Sequence, residues 1–262
     1  MKIGIFDSGL GGLAMLHALR EAFPTYDYVF YGDTLRVPYG DKTTKEIQRL
    51  TQMGLNFLFA NDCELVILAC NTASATVLRE LQETYLPRQN NSHLRILGVI
   101  VPTAEVLTGY KHIGILATTA TVTARSFDKS FARYGWHGTI TYQSAPKLVP
   151  LIEQGLYDEA LEVIQKEYLP AILEKNVEAL ILGCTHYMLL KNRIRNILPE
   201  QIKLISQDEV IPQKLKTYLD KHIDTKKRIS KNGNVDLFVT KATDQMNTLG
   251  QAWFGVLPEI LK

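Results

Sequence analysis

Cys70 and Cys184 are the side chains with the clearest chemical potential, because each closes a similar apolar run. Glu64-Leu-Val-Ile-Leu-Ala-Cys70-Asn-Thr is echoed by Glu178-Ala-Leu-Ile-Leu-Gly-Cys184-Thr-His, 114 residues further on. A thiol placed where a strand hands over to a helix sits among unpaired backbone N–H groups at the positive end of the helix dipole, and both favour the thiolate. Thr72 and Thr185 fall where a side chain could cap each helix. With an unperturbed pKa of about 8.5, such a thiol needs only a modest depression to exchange protons near neutral pH. His186 lies two residues after Cys184, and Asp7 ends the first strand of the half that carries Cys70. Two proton carriers, each with a titratable neighbour, suit acid/base work on a shared substrate. Buried structural cysteine is the commoner fate of a strand thiol. The paired placement outweighs it here, whereas Cys63 precedes a strand and reads as structural.

Other short polar residues cluster at strand ends. Asp7-Ser8-Gly9-Leu10-Gly11-Gly12 follows the first strand and opens a helix, so its backbone N–H groups and the Ser8 hydroxyl could hold an anion. Gly9, Gly11 and Ala14 also fit a loose dinucleotide fingerprint with Asp33 as the ribose acid, and a plain tight turn explains the same residues. Asn71, Thr72, Thr118, Thr119 and Thr121 singly read as helix caps. Together they would line a neutral pocket of donors suited to carboxylates. Pro38, Tyr39 and Gly40 lie in the loop after the second strand, where functional loops of such sheets occur, and Glu153 looks like a surface residue of a short helix. A zinc site on Cys70, Cys184 and His186 is conceivable, but it lacks the usual closely spaced ligand pair.

The elements that must position these residues alternate along the chain. Apolar, β-branched runs at 2–6, 28–31, 65–69, 95–100, 112–117, 139–142, 179–182, 203–205 and 235–240 predict strands. Segments 13–22, 44–60, 72–85, 121–134, 157–174, 187–197, 210–219 and a stretch from 243 have helical period, and 224–234 reads as an exposed loop. This βαβ rhythm belongs to parallel sheets. Ile3-Gly-Ile-Phe matches Ile113-Gly-Ile-Leu at nearly the offset of the two cysteines, which points to a duplication. The expected fold class is α/β, with two pseudosymmetric doubly wound domains and the active-site cleft between them. Residues 1–97 plus 207–262 would form the first domain and 98–206 the second, the boundary resting on Gly98 and Pro102.

Composition narrows the setting. Of 262 residues, 46% are hydrophobic and 21% charged, as in ordinary globular proteins. A net charge of +2 argues against a nucleic-acid binder. The basic cluster Lys226, Lys227, Arg228 and Lys231 lacks interleaved aromatics and reads as a solvated face. No apolar run approaches the roughly 18 residues of a membrane span. Asp7 interrupts the first apolar run too early for a signal peptide, and three cysteines are too few and odd for a disulfide framework. A cytoplasmic setting is expected.

Phe6-Asp7-Ser8-Gly9-Leu10-Gly11-Gly12, Tyr31-Gly32-Asp33, Val37-Pro38-Tyr39-Gly40, Ala69-Cys70-Asn71-Thr72-Ala73-Ser74, Gly98-Val99 with Pro102, Thr118-Thr119-Ala120-Thr121 and Gly183-Cys184-Thr185-His186 together resemble the glutamate racemase family. The resemblance implies a homodimeric enzyme with neither organic cofactor nor metal, which supplies D-glutamate for peptidoglycan. It further implies that Cys70 and Cys184 are the acid/base thiols, with Asp7 assisting the first and His186 the second. Ser8, Pro38, Tyr39, Gly40, Asn71, Thr72, Thr121, Glu153 and Thr185, with Asp7, match positions lining that family's substrate cleft. Two departures stand out: Met188-Leu189 where relatives commonly have Pro, and Thr240-Lys241-Ala242 in place of the usual Gly-Asp. Aspartate racemases of the same fold are the nearest alternative, and Ser74 and His186 favour the glutamate pattern. A nicotinamide-dependent oxidoreductase and a non-catalytic two-lobed amino-acid binding protein are more distant ones.

Overall fold

The computed structural model describes residues 1–261. In chain order the strands are β1 (Lys2–Asp7), β2 (Tyr28–Gly32), β3 (Cys63–Leu68), β4 (Arg95–Gly98), β5 (His112–Ala117), β6 (Thr139–Ser144), β7 (Ala179–Gly183), β8 (Lys203–Ile205), β9 (Val235–Val239) and β10 (Glu259–Ile260). They form two sheets, in the orders β10-β9-β2-β1-β3-β4 and β6-β5-β7-β8, and every pairing is parallel. The order β2-β1-β3-β4 is repeated as β6-β5-β7-β8, so the sequence echo is also a topological one. In both sheets a central strand carrying Ile-Gly-Ile lies beside the strand that leads to a cysteine: Gly4 pairs with Val66 and Gly114 with Leu180.

Helices cover both sheets, which is why β1, β2 and β7 read as continuous apolar runs buried along most of their length. Those that frame the thiols or join the lobes are α1 (Gly12–Ala22), α2 (Thr44–Ala60), α3 (Asn71–Thr76), α4 (Ile100–Glu105), α5 (Thr119–Ala124), α6 (Ser126–Arg133), α7 (Leu148–Glu153), α8 (Thr185–Met188), α9 (Gln207–Lys221) and α10 (Asp244–Phe254). Burying one Val, Leu or Ile side chain contributes about 1.5–3 kcal/mol. Ile3, Ile5, Leu65, Ile113, Ile115 and Ile181 are all fully or almost fully enclosed. The chain leaves the first sheet through β4 and α4 and returns from β8 into α9, which packs on α1 and α4. It then adds β9 beside β2.

Some expectations need correction. The helix expected over 72–85 breaks after Thr76, and the one over 121–134 breaks at Arg125, which takes a left-handed φ of 52°. Residues 187–197 divide into Thr185–Met188 and Lys191–Ile197. Part of the expected loop at 224–234 is the helix Ile223–Arg228, whose first turn holds Asp224 and whose last turn holds Lys226, Lys227 and Arg228, an arrangement the helix dipole favours. Cys63 opens β3 instead of preceding it. The two-residue β10 is too short to leave a periodic signal.

Candidate active site

Parallel pairing puts the carboxyl ends of β1, β3 and β7 where ligands of such sheets bind. Cys70 and Cys184 follow β3 and β7 and are the N-cap residues of α3 and α8. Both line one small cavity between the sheets. From the first sheet come Ser8, Pro38, Tyr39, Gly40, Asn71 and Thr72; from the second come Thr118, Val149, Thr185 and His186. The cavity offers only about 10 Å³ to the centre of a water-sized molecule. Space for one water is what that volume allows.

The hydrogen bonds show how the rest of the cluster is arranged. Cys70 Sγ lies 3.4 Å from Ser8 Oγ, and Cys184 Sγ lies 3.7 Å from His186 Nδ1. His186 Nε2 is 2.6 Å from Glu153 Oε1, an oxygen that also accepts the Leu10 N–H at 2.9 Å. Asp7 stands behind the cavity wall, where its Oδ2 accepts the N–H groups of Gly9 at 3.0 Å and Gly12 at 3.1 Å while Thr185 Oγ1 donates to Oδ1 at 3.1 Å. Internal carboxylates therefore occupy the anion cradle read from the Gly9-Leu10-Gly11-Gly12 turn. The glycines serve close approach between lobes: a Cβ on Gly9 would meet Glu153 Oε1 at 2.2 Å, and one on Gly11 would meet the His186 backbone nitrogen at 2.4 Å.

Several single-residue readings change. Thr72 and Thr185 cap neither helix. Thr72 Oγ1 lies 2.9 Å from Thr118 Oγ1, and Thr118 is the capping residue of α5, accepting the Thr121 N–H. Thr121 thus sits behind Thr118, away from the cavity wall. Asp33 anchors the Pro38–Gly40 loop: it accepts the Tyr39 hydroxyl at 2.7 Å, the Arg36 guanidinium at 2.5 Å and the Thr240 hydroxyl at 3.0 Å. Thr240 therefore has a function in this chain that the missing Gly-Asp pair did not reveal. Ser74 donates to the Leu68 carbonyl at 2.8 Å and faces a different hollow of about 790 Å³ behind α3, so it makes no wall of the thiol cavity. Both ring nitrogens of His186 are engaged. Among the described residues, no group of three His, Cys, Asp or Glu side chains is placed to hold a metal ion.

Residues 4–211 match the model of the Asp/Glu/Hydantoin racemase family. The chain belongs to this family. It is an isomerase of the amino-acid racemase class. A glutamate racemase of Paracoccus denitrificans is 38% identical over 256 residues, covering 92% of this chain and 91% of the relative. Among solved structures, glutamate racemase from Francisella tularensis in complex with D-glutamate superposes with a TM-score of 0.86 at 28% identity, covering 100% of this chain and 97% of that one. Glutamate racemase from Thermus thermophilus in complex with beta-chloro-D-alanine gives 0.80 at 31% identity, with coverages of 100% and 95%.

Burial dominates the electrostatics around Cys70 in this racemase. Burial pushes the Cys70 thiol up to about 12, the Asp7 charge adds to the rise, and the Ser8 hydroxyl and Ala73 N–H only partly offset it. The modest depression expected from a helix N-terminus is thus overridden by desolvation. Burial also raises the Asp7 carboxyl to about 6, against the opposing pull of His186 and the Gly9, Thr185 and Gly12 donors. For His186, burial disfavours the imidazolium, but the bonds to Cys184 and Glu153 outweigh it and hold the ring well above its usual value. Sequence reasoning missed Val149 on the cavity wall, as well as Gln207, whose amide meets that of Asn71. Neither carries a motif; only the return of α9 to the first lobe brings Gln207 to the site.

Proposed function

We propose that this protein interconverts L- and D-glutamate without cofactor or metal, using Cys70 and Cys184 as opposed acid/base groups. The observation that carries this reading is that the two strand-end thiols, one from each sheet, line a single cavity. One thiolate removes the α-hydrogen as a proton, and the other thiol returns a proton to the opposite face of the resulting carbanion. Each turnover therefore exchanges the protonation states of the two sulfurs and leaves the rest of the substrate unchanged. Asp7 assists Cys70 and His186, oriented by Glu153, assists Cys184. Ser8, Asn71 and Thr72 supply oriented donors for the substrate carboxylates and the developing negative charge, while the Thr185 hydroxyl holds Asp7 in place beside them. The substrate ammonium brings a positive charge into the enclosed site, which lowers the cost of ionising Cys70.

Glutamate exceeds the space in the closed cavity, so the lobes must part to admit it and close to exclude water. The lobes correspond to residues 1–97 plus 207–262 and residues 98–206. The working unit is a cytoplasmic homodimer that feeds D-glutamate to peptidoglycan synthesis. The test is circular dichroism of L- and D-glutamate, and separately of L- and D-aspartate, with chelator-treated protein and nothing added. Decay of the glutamate signal from either enantiomer to zero is the expected result. Faster decay with aspartate would reassign the substrate, and activity that vanished with EDTA and returned with zinc would replace the cofactor-free mechanism.

A further inference from the structure

Gln207 is fully buried and opens α9 directly after the chain recrosses from the second sheet. Its side chain forms a reciprocal amide pair with Asn71: Asn71 Nδ2 donates to Gln207 Oε1 at 2.6 Å, and Gln207 Nε2 donates to Asn71 Oδ1 at 2.8 Å. The second hydrogen of Gln207 Nε2 goes to Thr103 Oγ1 at 3.2 Å. Thr103 lies in α4, on the outward crossing, and its own hydroxyl donates to the Val99 carbonyl at 2.6 Å. Both crossings between the lobes therefore meet at the residue next to Cys70.

The direction of this chain is fixed by its far end. A carbonyl oxygen can only accept, so the single hydroxyl hydrogen of Thr103 is committed to Val99. The Thr103 oxygen must then accept, and only the NH₂ end of Gln207 can satisfy it. With Gln207 so oriented, its oxygen faces the NH₂ group of Asn71. An isolated amide could rotate by 180° with little change of shape, but here the network chooses one orientation. Asn71 lines the thiol cavity, and among the described residues its Nδ2 has no acceptor besides Gln207. Its second N–H has no acceptor among the described residues.

We propose that Gln207 is a positioning residue which, through Thr103 and Val99, fixes the polarity of the Asn71 amide so that it presents an N–H to a carboxylate oxygen of the substrate. This rests on the glutamate reading above. Acting on binding more than on proton transfer, it predicts a split between KM and kcat. In Gln207→Met, which keeps length but removes the amide, KM for both L- and D-glutamate should rise about 10-fold while kcat falls less than about 3-fold. Because Gln207 works through Asn71, the double variant Asn71→Ala/Gln207→Met should be no weaker than Asn71→Ala alone. If Gln207→Met does not fold, Thr103→Val takes its place, with a KM rise of about 3-fold that vanishes in the Asn71→Ala background. An unchanged KM in a folded Gln207→Met protein, or losses that multiply in the double variant, would overturn the assignment while wild-type glutamate turnover stood. Absence of wild-type turnover would instead sink the substrate reading and this inference with it.

Discussion

Cys70 and Cys184 occupy equivalent places in the two sheets but have different surroundings. Each cysteine is the N-cap of a short helix after a strand one place from the edge of its four-strand repeat. At matching positions of the repeat, however, Asp7 at the end of β1 corresponds to Ala117 at the end of β5, and Thr72 corresponds to His186. The titratable partners that single out each thiol are placed differently. Cys184 has a direct partner in His186, whereas Cys70 touches the Ser8 hydroxyl and senses Asp7 through its charge. Duplication therefore conserved the placement of sulfur and left the proton environment free to diverge. The halves also brace one another: Thr185 of the second holds Asp7 of the first, and the Leu10 N–H of the first holds Glu153 of the second.

Replacing either sulfur removes one member of the pair and should have the largest effect. Cys70→Ser and Cys184→Ser each raise the proton-transfer pKa by several units and should lower racemisation of both enantiomers by about 10²–10⁴-fold, while Cys63→Ser stays active. Turnover in D₂O from one enantiomer should label product before the remaining substrate. If the substrate pool gained deuterium equally early, or either active-site variant kept near wild-type rate, the two sulfurs would not be opposed bases.

Removing the partner of one sulfur should act on that half alone. In His186→Asn, kcat/KM should fall about 10²-fold in both directions, because enantiomers are equal in energy and the two values must change together. The isotope effect with α-deuterated glutamate is the discriminating quantity. It should grow for the enantiomer deprotonated by Cys184 and stay nearly constant for the other. Equal growth with both would mean that His186 serves the cavity as a whole, and the contrast between halves would fail.

The fold was legible because both sheets are parallel and buried on two faces, so their strands leave unbroken apolar runs, and because the repeat of Ile-Gly-Ile and of the apolar run before Cys survives in sequence. Cys70, Cys184 and His186 were legible for the same reason. What escaped depends on distant segments meeting. Nothing near Gln207 signals that α9 returns to Asn71, and Glu153, which only the family resemblance placed near the substrate, has a local sequence that shows neither Leu10 nor His186 as its partner. The left-handed turn at Arg125 also left no sign, since the helical period continues across it.

The smallest effect is a difference in pH window between the halves, visible in stability without any turnover. Asp7 is fully enclosed, and its carboxyl rises from an ordinary 3.8 to about 6. A raised folded-state pKa means the folded protein holds this proton more tightly than the unfolded chain, so the associated stability is present below pH 4 and is lost as the pH passes 6. Two pKa units correspond to at most about 3 kcal/mol, reduced by whatever the Gly9, Gly12 and Thr185 donors lose on substitution. Urea unfolding from pH 4 to 8 should therefore show wild type weakening relative to Asp7→Asn between pH 4 and 7. His186, also raised, has its window above 6.5, where His186→Asn should remove a further decline with rising pH. If Asp7→Asn paralleled wild type from pH 4 to 7, the buried charge would not be borne by Asp7, and of the two titratable partners only His186 would carry a pH window.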